Sequence, residues 1–172
     1  MKEDFAVDDN GYTKDGYRVL DPVSKRAMYL MSLIQFVILA ILVNIARLLL
    51  VDWYQGDDKH VNILMYAILA VITLYLFVRP QLYYDHYRYR LDDDKVEVRE
   101  GIFTITHTLV PVERIHQVEV NKGPIDRHYG LAGVSITTAG GMVSIEYLKE
   151  DVAESIASKL NESVVEILRQ RD

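Results

Sequence analysis

The sequence predicts a membrane α-helical hairpin followed by a soluble α+β or all-β domain, built as a bent antiparallel sheet or small barrel with a C-terminal helix. Three observations indicate this class. Two long apolar runs, at 27–51 and 61–78, lie near the front of the 172-residue chain. Short alternating runs follow between 83 and 148. A stripe of apolar residues at four-residue spacing ends the chain.

The two apolar runs are long enough to cross a bilayer. The first reads AMYLMSLIQFVILAILVNIARLLLV (27–51), and the second reads VNILMYAILAVITLYLFV (61–78) without a formal charge. A helix needs about 20 apolar residues to span a hydrocarbon core about 30 Å thick. We therefore expect a polar segment over 1–24, a two-helix transmembrane hairpin over 25–80, and a soluble domain over 83–172.

Basic residues flank the hairpin on both outer sides and are scarce between the two runs. The flanking basic residues are Lys14, Arg18, Lys25, Arg26, Arg79, Arg88 and Arg90. The loop at 52–60 has only Lys59 against Asp52, Asp57 and Asp58. The positive-inside rule therefore predicts a multi-pass protein of the cell membrane with both termini in the cytoplasm. Because the first 20 residues lack an apolar stretch, we expect no cleaved signal peptide.

Three polar residues interrupt the first apolar run: Gln35, Asn44 and Arg47. Ionisable groups in a bilayer are costly, so one interpretation is a polar path, a ligand site or a contact with a partner helix. The structural interpretation is that Arg47 reaches the interface or Asp52. In that interpretation Asn44 and Gln35 hydrogen-bond to a neighbouring helix, in the same chain or in a partner.

Alternating runs after the hairpin predict the strands of an antiparallel sheet. The segment YYDHYRYRL (83–91) alternates apolar and polar residues, as in a half-buried strand, and the aspartates at 92–94 predict a turn. In the run at 102–110, Phe103, Ile105 and Leu109 share one side. The further predicted strands are 95–100, 102–110 ending before Pro111, 115–120, and a hairpin over 134–148 that turns at Gly140–Gly141.

The remaining elements are helical. A glycine-rich connection at 121–133 includes a predicted helical turn at 125–129. One apolar stripe predicts an amphipathic helix that runs to about Arg169, and its members are Leu148, Val152, Ile156, Leu160, Val164 and Leu168. An antiparallel sheet must protect its edges, so we expect this helix to cover the open end or one face.

Composition and charge argue against several classes of function. The formal net charge is −6 and no stripe of Lys and Arg is present, so we expect no nucleic-acid partner. The chain has no cysteine, and its five histidines lack the spacing of metal ligands on a helix. No nucleophile elbow and no phosphate-binding loop is present. We therefore expect no catalytic residue, no cofactor and no metal, and we do not expect an enzyme.

Two places in the soluble part are candidate partner contacts. Arg114 precedes the predicted strand at 115–120 and is either an anion contact or a bidentate partner of a nearby carboxylate or carbonyl. The loop that contains Asp126, Arg127 and Tyr129 lies between glycines, and loops on rigid scaffolds often carry contacts. The alternative for this loop is a purely structural helical turn.

Four motifs in a fixed order resemble the bacterial pleckstrin-homology-like family of membrane-flanking domains. They are Gly101–Phe103, Pro111–Val118, Gly123–Ala132 and Thr138–Gly141. Such domains commonly follow a pair of membrane helices, so the resemblance implies a pleckstrin-homology (PH) type barrel with a C-terminal helix. It implies no particular reaction. Relatives that bind inositides use a Lys/Arg cluster where this chain has Asp92–Asp94, and three carboxylates argue against such a ligand.

Together these patterns favour a non-catalytic, membrane-anchored interaction or scaffolding module on the cytoplasmic face. The expected partners are the lipid bilayer and a membrane or cytoplasmic protein, or a second copy of the chain. The alternative is a small subunit of a membrane transport or envelope-stress complex that acts through its transmembrane helices.

Overall fold

The computed structural model describes residues 13, 16–54, 59–102 and 104–171, without the side chains of 50–54, 168, 170 and 171. The helices are α1 (Pro22–Tyr54), α2 (Lys59–His86), α3 (Pro124–Tyr129) and α4 (Glu150–Arg171). The strands are β1 (Arg88–Leu91), β2 (Lys95–Glu100), β3 (Thr106–Pro111), β4 (Ile115–Asn121), β5 (Leu131–Thr138) and β6 (Gly141–Lys149). A 3₁₀ turn, Val112–Arg114, joins β3 to β4.

The fold class predicted from the sequence is confirmed. The strands form two three-stranded antiparallel sheets, ordered β1-β2-β3 and β4-β5-β6, and α4 follows them. The helix α4 packs on the second sheet and on the 3₁₀ turn. Ile156 and Leu160 of its predicted stripe are buried, as is Ala153 beside them. The predicted turn at Gly140–Gly141 joins β5 to β6, and Gly141 has a φ of 133°, which favours glycine.

Two predicted strands begin later than expected. The run at 102–110 forms a strand only from Thr106, as β3, which includes Pro111, and Phe103 lies outside the described residues. The segment 83–86 was assigned to a strand, but α2 continues through Pro80 to His86, and β1 begins only at Arg88. The tyrosines of this segment also have helical spacing, and the rings of Tyr83 and Tyr87 lie 5.3 Å apart. Because Tyr84 OH donates a hydrogen bond to Leu20 O at 3.0 Å, tertiary contacts hold the last helical turn. Alternation alone does not distinguish these two conformations.

The chain divides into two compact units. One consists of 28–82, and the other joins the residues up to Ala27 with those from Tyr83 onwards. Within the second unit, Arg18 and Tyr89 form an isolated antiparallel bridge, so the segment before α1 extends the first sheet beyond β1. The domain is therefore assembled from two stretches of chain that lie on either side of the hairpin in sequence.

The segment before the hairpin is packed into this domain. Tyr17 and Leu20 are 3% and 1% exposed, so both side chains are buried within the domain. Ser24 Oγ donates to Tyr147 O at 2.7 Å, and Lys149 Nζ lies 2.8 Å from Asp21 Oδ2. The segment is thus fixed to β6 by a hydrogen bond and an ion pair. The core of this domain draws on all six strands, the 3₁₀ turn and α4, together with Tyr87 and with Ala27 of α1.

Tyr87 fills an irregular place in the second sheet. The β5–β6 register shifts between Ala132 and Val134, and Tyr147, on the longer side of the shift, has a φ of 59°. The buried Tyr87 phenol accepts the Glu146 N–H at 3.2 Å and donates to Ser144 O at 3.4 Å. Burial raises the pKa of this phenol above its ordinary value, so it remains a neutral donor and acceptor.

The unit 28–82 is a helical hairpin with an apolar surface. Two stretches, Pro22–Leu49 and Lys59–His86, are long and apolar enough to cross a membrane. Only 11% and 6% of the residues in their most apolar windows are buried, far less than in the core helix of a soluble protein. The rings of Phe36 and Phe77 meet edge to face at 6.3 Å, so the two helices contact each other. Both properties are those of a membrane hairpin.

Candidate interaction site

Two of the polar residues of the first apolar run, Asn44 and Arg47, form hydrogen bonds with polar residues of α2. Arg47 Nε donates to Asn62 Oδ1 at 3.0 Å. Tyr66 OH donates to Asn44 Oδ1 at 3.4 Å, while Asn44 Nδ2 donates to Ala40 O at 2.8 Å within its own helix. Such bonds satisfy groups that would be costly in hydrocarbon. A contact of Asn44 or Arg47 with a partner remains a prediction.

The predicted helical turn near 125–129 is the short helix α3. Asp126 Oδ2 accepts the Gly123 N–H at 3.1 Å, so its carboxylate caps the helix. Gly130 ends the helix in the left-handed conformation, with a φ of 64°. The Gly130 carbonyl accepts the Glu150 N–H at 3.1 Å, which ties α3 to the start of α4. Asp126 therefore has a structural role, and α3 is held in place on the domain.

The other two candidates of this loop are accessible to different degrees. Arg127 is exposed, and none of the described residues forms an ion pair or hydrogen bond with its side chain. Tyr129 is half-buried and meets the ring of His128 edge-on at 5.1 Å. Arg127 is thus the residue of α3 that offers a charge to solvent.

Arg114 is the last residue of the 3₁₀ turn. Its side chain is exposed, and no carboxylate among the described residues lies within ion-pair distance. The bidentate intramolecular partner that the structural interpretation requires is therefore not found among these residues. Arg114 is also not bonded to α3. Arg114 and Arg127 are therefore two separate exposed cations.

A cluster of ionisable side chains on the first sheet was not identified from the sequence. At its centre is Glu97 of β2, whose side chain is only 6% exposed. Its carboxylate accepts a hydrogen bond from Tyr17 OH and contacts Lys95 Nζ at 2.7 Å and His107 Nε2 at 2.9 Å. The Arg99 guanidinium lies 4.1 Å from the centroid of the Tyr17 ring. We refer to these five residues as the Glu97 cluster.

Electrostatics keep Glu97 ionised. The hydrogen bond from Lys95, followed by that from Tyr17, lowers the pKa of the Glu97 carboxyl to about 2. Burial, together with the hydrogen bond to Glu97, raises the pKa of the Tyr17 phenol. The cluster therefore joins a neutral phenol to a carboxylate. Its effect is to fasten the segment before α1 onto the outer face of the first sheet.

The signal for this cluster is weak in the sequence. Lys95, Glu97 and Arg99 alternate, so they share one face of β2, and a charged face normally indicates solvent. Tyr17 lies 80 residues earlier than Glu97, so no local pattern connects them. Among the described residues, no group of three or more His, Asp or Glu side chains is arranged to hold a metal ion.

Comparison with known proteins identifies relatives of this chain. The model of the bacterial PH domain family matches residues 30–164, more than half of the chain. The chain is 30% identical over 103 residues to the UPF0699 transmembrane protein YdbS of Bacillus subtilis (strain 168), covering 60% of this chain and 61% of that protein. It is 24% identical over 103 residues to the UPF0699 transmembrane protein YdbT of the same organism, covering 60% of this chain and 21% of that protein. The match thus spans less than two thirds of either relative, and no solved structure matches significantly.

Proposed function

This chain belongs to the bacterial PH domain family, and on that premise we propose that it is a membrane-anchored interaction module without catalytic activity. The observation that carries the proposal is the combination of an apolar, exposed hairpin with a domain in which the carboxylates of Glu97 and Asp126 are engaged in structural contacts. In this proposal the hairpin confines the domain to the membrane surface, and the domain binds a protein. Confinement raises the local concentration, so weak contacts suffice.

The structural contacts of the carboxylates in the domain support a binding role rather than a catalytic one. Glu97 is held by Lys95, Tyr17 and His107. Asp126 caps α3. A catalytic acid or base must be able to exchange a proton near its operating pH, and a carboxyl with a pKa of about 2 is poorly suited to that task.

We place the domain and both termini in the cytoplasm. Basic residues on both outer sides of the hairpin, against the aspartates of the loop at 52–60, support this orientation. The exposed cations Arg114 and Arg127 are the proposed contacts with a partner. Charged groups on a rim mainly set specificity and association rate, so we expect an acidic surface opposite them.

The test is crosslinking in living cells followed by mass spectrometry of the isolated membranes. We expect Arg127→Ala to lose a crosslinked neighbour that the wild-type chain retains. Lys159→Ala is the matched control, because Lys159 is also exposed on this domain but already pairs with Asp93 at 2.9 Å. Retention of every neighbour by Arg127→Ala and Arg114→Ala would contradict the proposed contacts.

The alternative function, as a subunit of a transport or envelope-stress complex, relies on the hairpin. It predicts that Asn44→Leu or Arg47→Leu, and not Arg127→Ala, removes the neighbour. The pairing of both residues within the hairpin favours the first proposal, because groups already satisfied have less to gain from a partner helix.

A further inference from the structure

The strand β3 has a free edge in the first sheet. It pairs with β2 on one side, and in the described part of the chain no strand pairs with its other side. A free edge presents unpaired N–H and C=O groups to any second strand. The identity of the residues that present these groups follows from the neighbouring strands.

The hydrogen-bond alternation can be followed across the sheet. Tyr89 exchanges both backbone bonds with Arg18, at 2.7 and 3.1 Å, so its N–H and C=O point away from β2. Antiparallel ladders alternate, so Val98, opposite Tyr89, must bond to Thr108 of β3. The bond from Val112 N–H to Asp94 O, 2.9 Å, follows the same alternation.

His107 and Leu109 therefore present their backbone groups outwards, since they alternate with Thr108. Ile105, directly before β3, has the same parity. The three side chains share the outer face of the sheet, on which Ile105 and Leu109 are each 49% exposed. The edge thus combines free hydrogen-bonding groups with uncovered apolar side chains.

The sequence of this edge is nearly the same in both directions. Ile105-Thr106-His107-Thr108-Leu109 is a pseudo-palindrome centred on His107. When two identical strands pair antiparallel about a two-fold axis at His107, each residue meets its mirror position in the other copy, so Ile105 meets Leu109 and the edge is complementary to itself. The pattern points to one occupant of the edge, a second copy of the same strand.

We propose that β3 pairs with β3 of a second copy of this chain, with His107 on the two-fold axis. His107 then exchanges both backbone bonds with His107 of the second copy, and Ile105 does so with Leu109 of the second copy. The two apolar side chains meet across the strands on the outer face, and Thr106 lies opposite Thr108. Such cross-strand pairs are the unit by which sheets are stabilised.

The pairing of β3 names a second copy of the chain as a partner in the proposed function. It rests on that function because the hairpin is proposed to confine both copies to the same membrane. Two of the other edges, those of β1 and β4, suit a second strand less well. The edge of β1 is occupied by Arg18. β4 carries an exposed Glu119 and a register irregularity between Ile115 and Gln117, and both features protect an edge from pairing.

Because the sequence contains no cysteine, a single introduced cysteine can serve as a specific crosslinking site. In a hydrogen-bonded antiparallel pair the Cα atoms lie about 5.5 Å apart, which a disulfide can bridge. We expect His107→Cys, in native membranes with copper phenanthroline as oxidant, to give a dimer that reductant abolishes. Leu109→Cys alone is the register control and should stay monomeric, because its own copy lies about 13 Å away along the strands.

A second pair of variants keeps His107 and its contact with Glu97. Co-expressed Ile105→Cys and Leu109→Cys chains should crosslink to each other. In the His107→Cys background, Ile105→Lys with Leu109→Lys should abolish the dimer, whereas Met142→Lys, at another exposed apolar residue, should leave it unchanged.

The outcomes separate the pairing from the anchoring. Two results together would overturn the pairing. The His107→Cys chain, folded and membrane-bound, would stay monomeric, and the co-expressed Ile105→Cys and Leu109→Cys chains would also fail to crosslink. Equal crosslinking of Leu109→Cys and His107→Cys would overturn the register. A chain that is recovered in the soluble fraction and still forms the His107→Cys dimer would contradict the proposed anchoring and support the pairing.

Discussion

At the residue scale, Glu97 connects two stretches of chain that are remote in sequence. Its buried carboxylate receives Tyr17 from the segment before α1 as well as Lys95 and His107 from the sheet. A buried charge is tolerated only when it is paired and hydrogen-bonded. Removing the charge therefore affects the attachment of the segment and not only the local strand.

The pH dependence of the Glu97 contribution follows from its depressed pKa. The native pKa of about 2 lies below the ordinary value of 4.5, so the stabilisation is complete above about pH 4.5 and is lost as the pH falls towards 2. We expect Glu97→Gln to lower the free energy of unfolding by about 1–3 kcal/mol at pH 7. Thermal unfolding in mild detergent at a series of pH values should show this difference shrinking below pH 4.5.

Glu119→Gln is the control for that experiment, because Glu119 is exposed and accepts a hydrogen bond from Gln117 Nε2, two residues away on the same strand. Its unfolding should match that of the wild-type chain at each pH. A Glu97→Gln protein as stable as wild type at pH 7 would show that the cluster does not hold the segment.

At the element scale, the polar bonds between α1 and α2 set the pairing of the hairpin. A double-mutant cycle of Arg47→Leu and Asn62→Leu should give a coupling of about 0.6 kcal/mol, the average for such bonds in membranes. The coupling is measured from unfolding in bicelles. The control cycle of Gln35→Leu and Asn62→Leu should give no coupling free energy. A coupling as large as that between Arg47 and Asn62 would contradict a specific bond between those two residues.

The elements also show what local patterns can predict. β4 and α4 follow from two-residue and four-residue periodicity that lies within each segment. The segment 83–86 was misassigned because its tyrosines fit both a strand and a helix, and contacts with Leu20 and Glu100 decide the outcome. The Arg18–Tyr89 bridge lies beyond any local pattern, since its two residues are separated by the whole hairpin.

The candidate site was predictable only in part. Asp126 and its neighbouring glycines indicated a helical turn, and α3 is that turn. The partner role of Arg114, Arg127 and Tyr129 stays a prediction. The outward position of Ile105 and Leu109 could not be predicted, because alternation shows which residues share a face but not which face is covered.

At the scale of the whole molecule, the proposed orientation makes a prediction that uses single cysteines. With Asp57→Cys in the loop and Lys159→Cys in the domain as separate variants, a membrane-impermeant maleimide should label only the first in intact cells. Both should react after permeabilisation, because the domain is proposed to lie in the cytoplasm. Labelling of the Lys159→Cys chain in intact cells would reverse the orientation.

The two-part composition of the domain predicts how it can be isolated. A chain in which a short Gly/Ser linker replaces 28–82 should be soluble and unfold cooperatively, because Lys25 Nζ lies 5.4 Å from the Tyr84 ring centroid and the ends are close. The fragment 83–172 alone lacks Tyr17 and Leu20 and should be less stable, by about 1.5–3 kcal/mol for each buried side chain. Circular dichroism melts compare the two, and equal melting temperatures would contradict the shared core.

The bridge between Arg18 and Tyr89 also constrains biogenesis. A ribosome releases the segment before α1 long before the strand it pairs with has been synthesised, and both apolar helices emerge in between. The segment before α1 therefore cannot pair with Tyr89 until both apolar helices have been synthesised. Folding of the domain is thus completed late in synthesis, after the whole hairpin has left the ribosome.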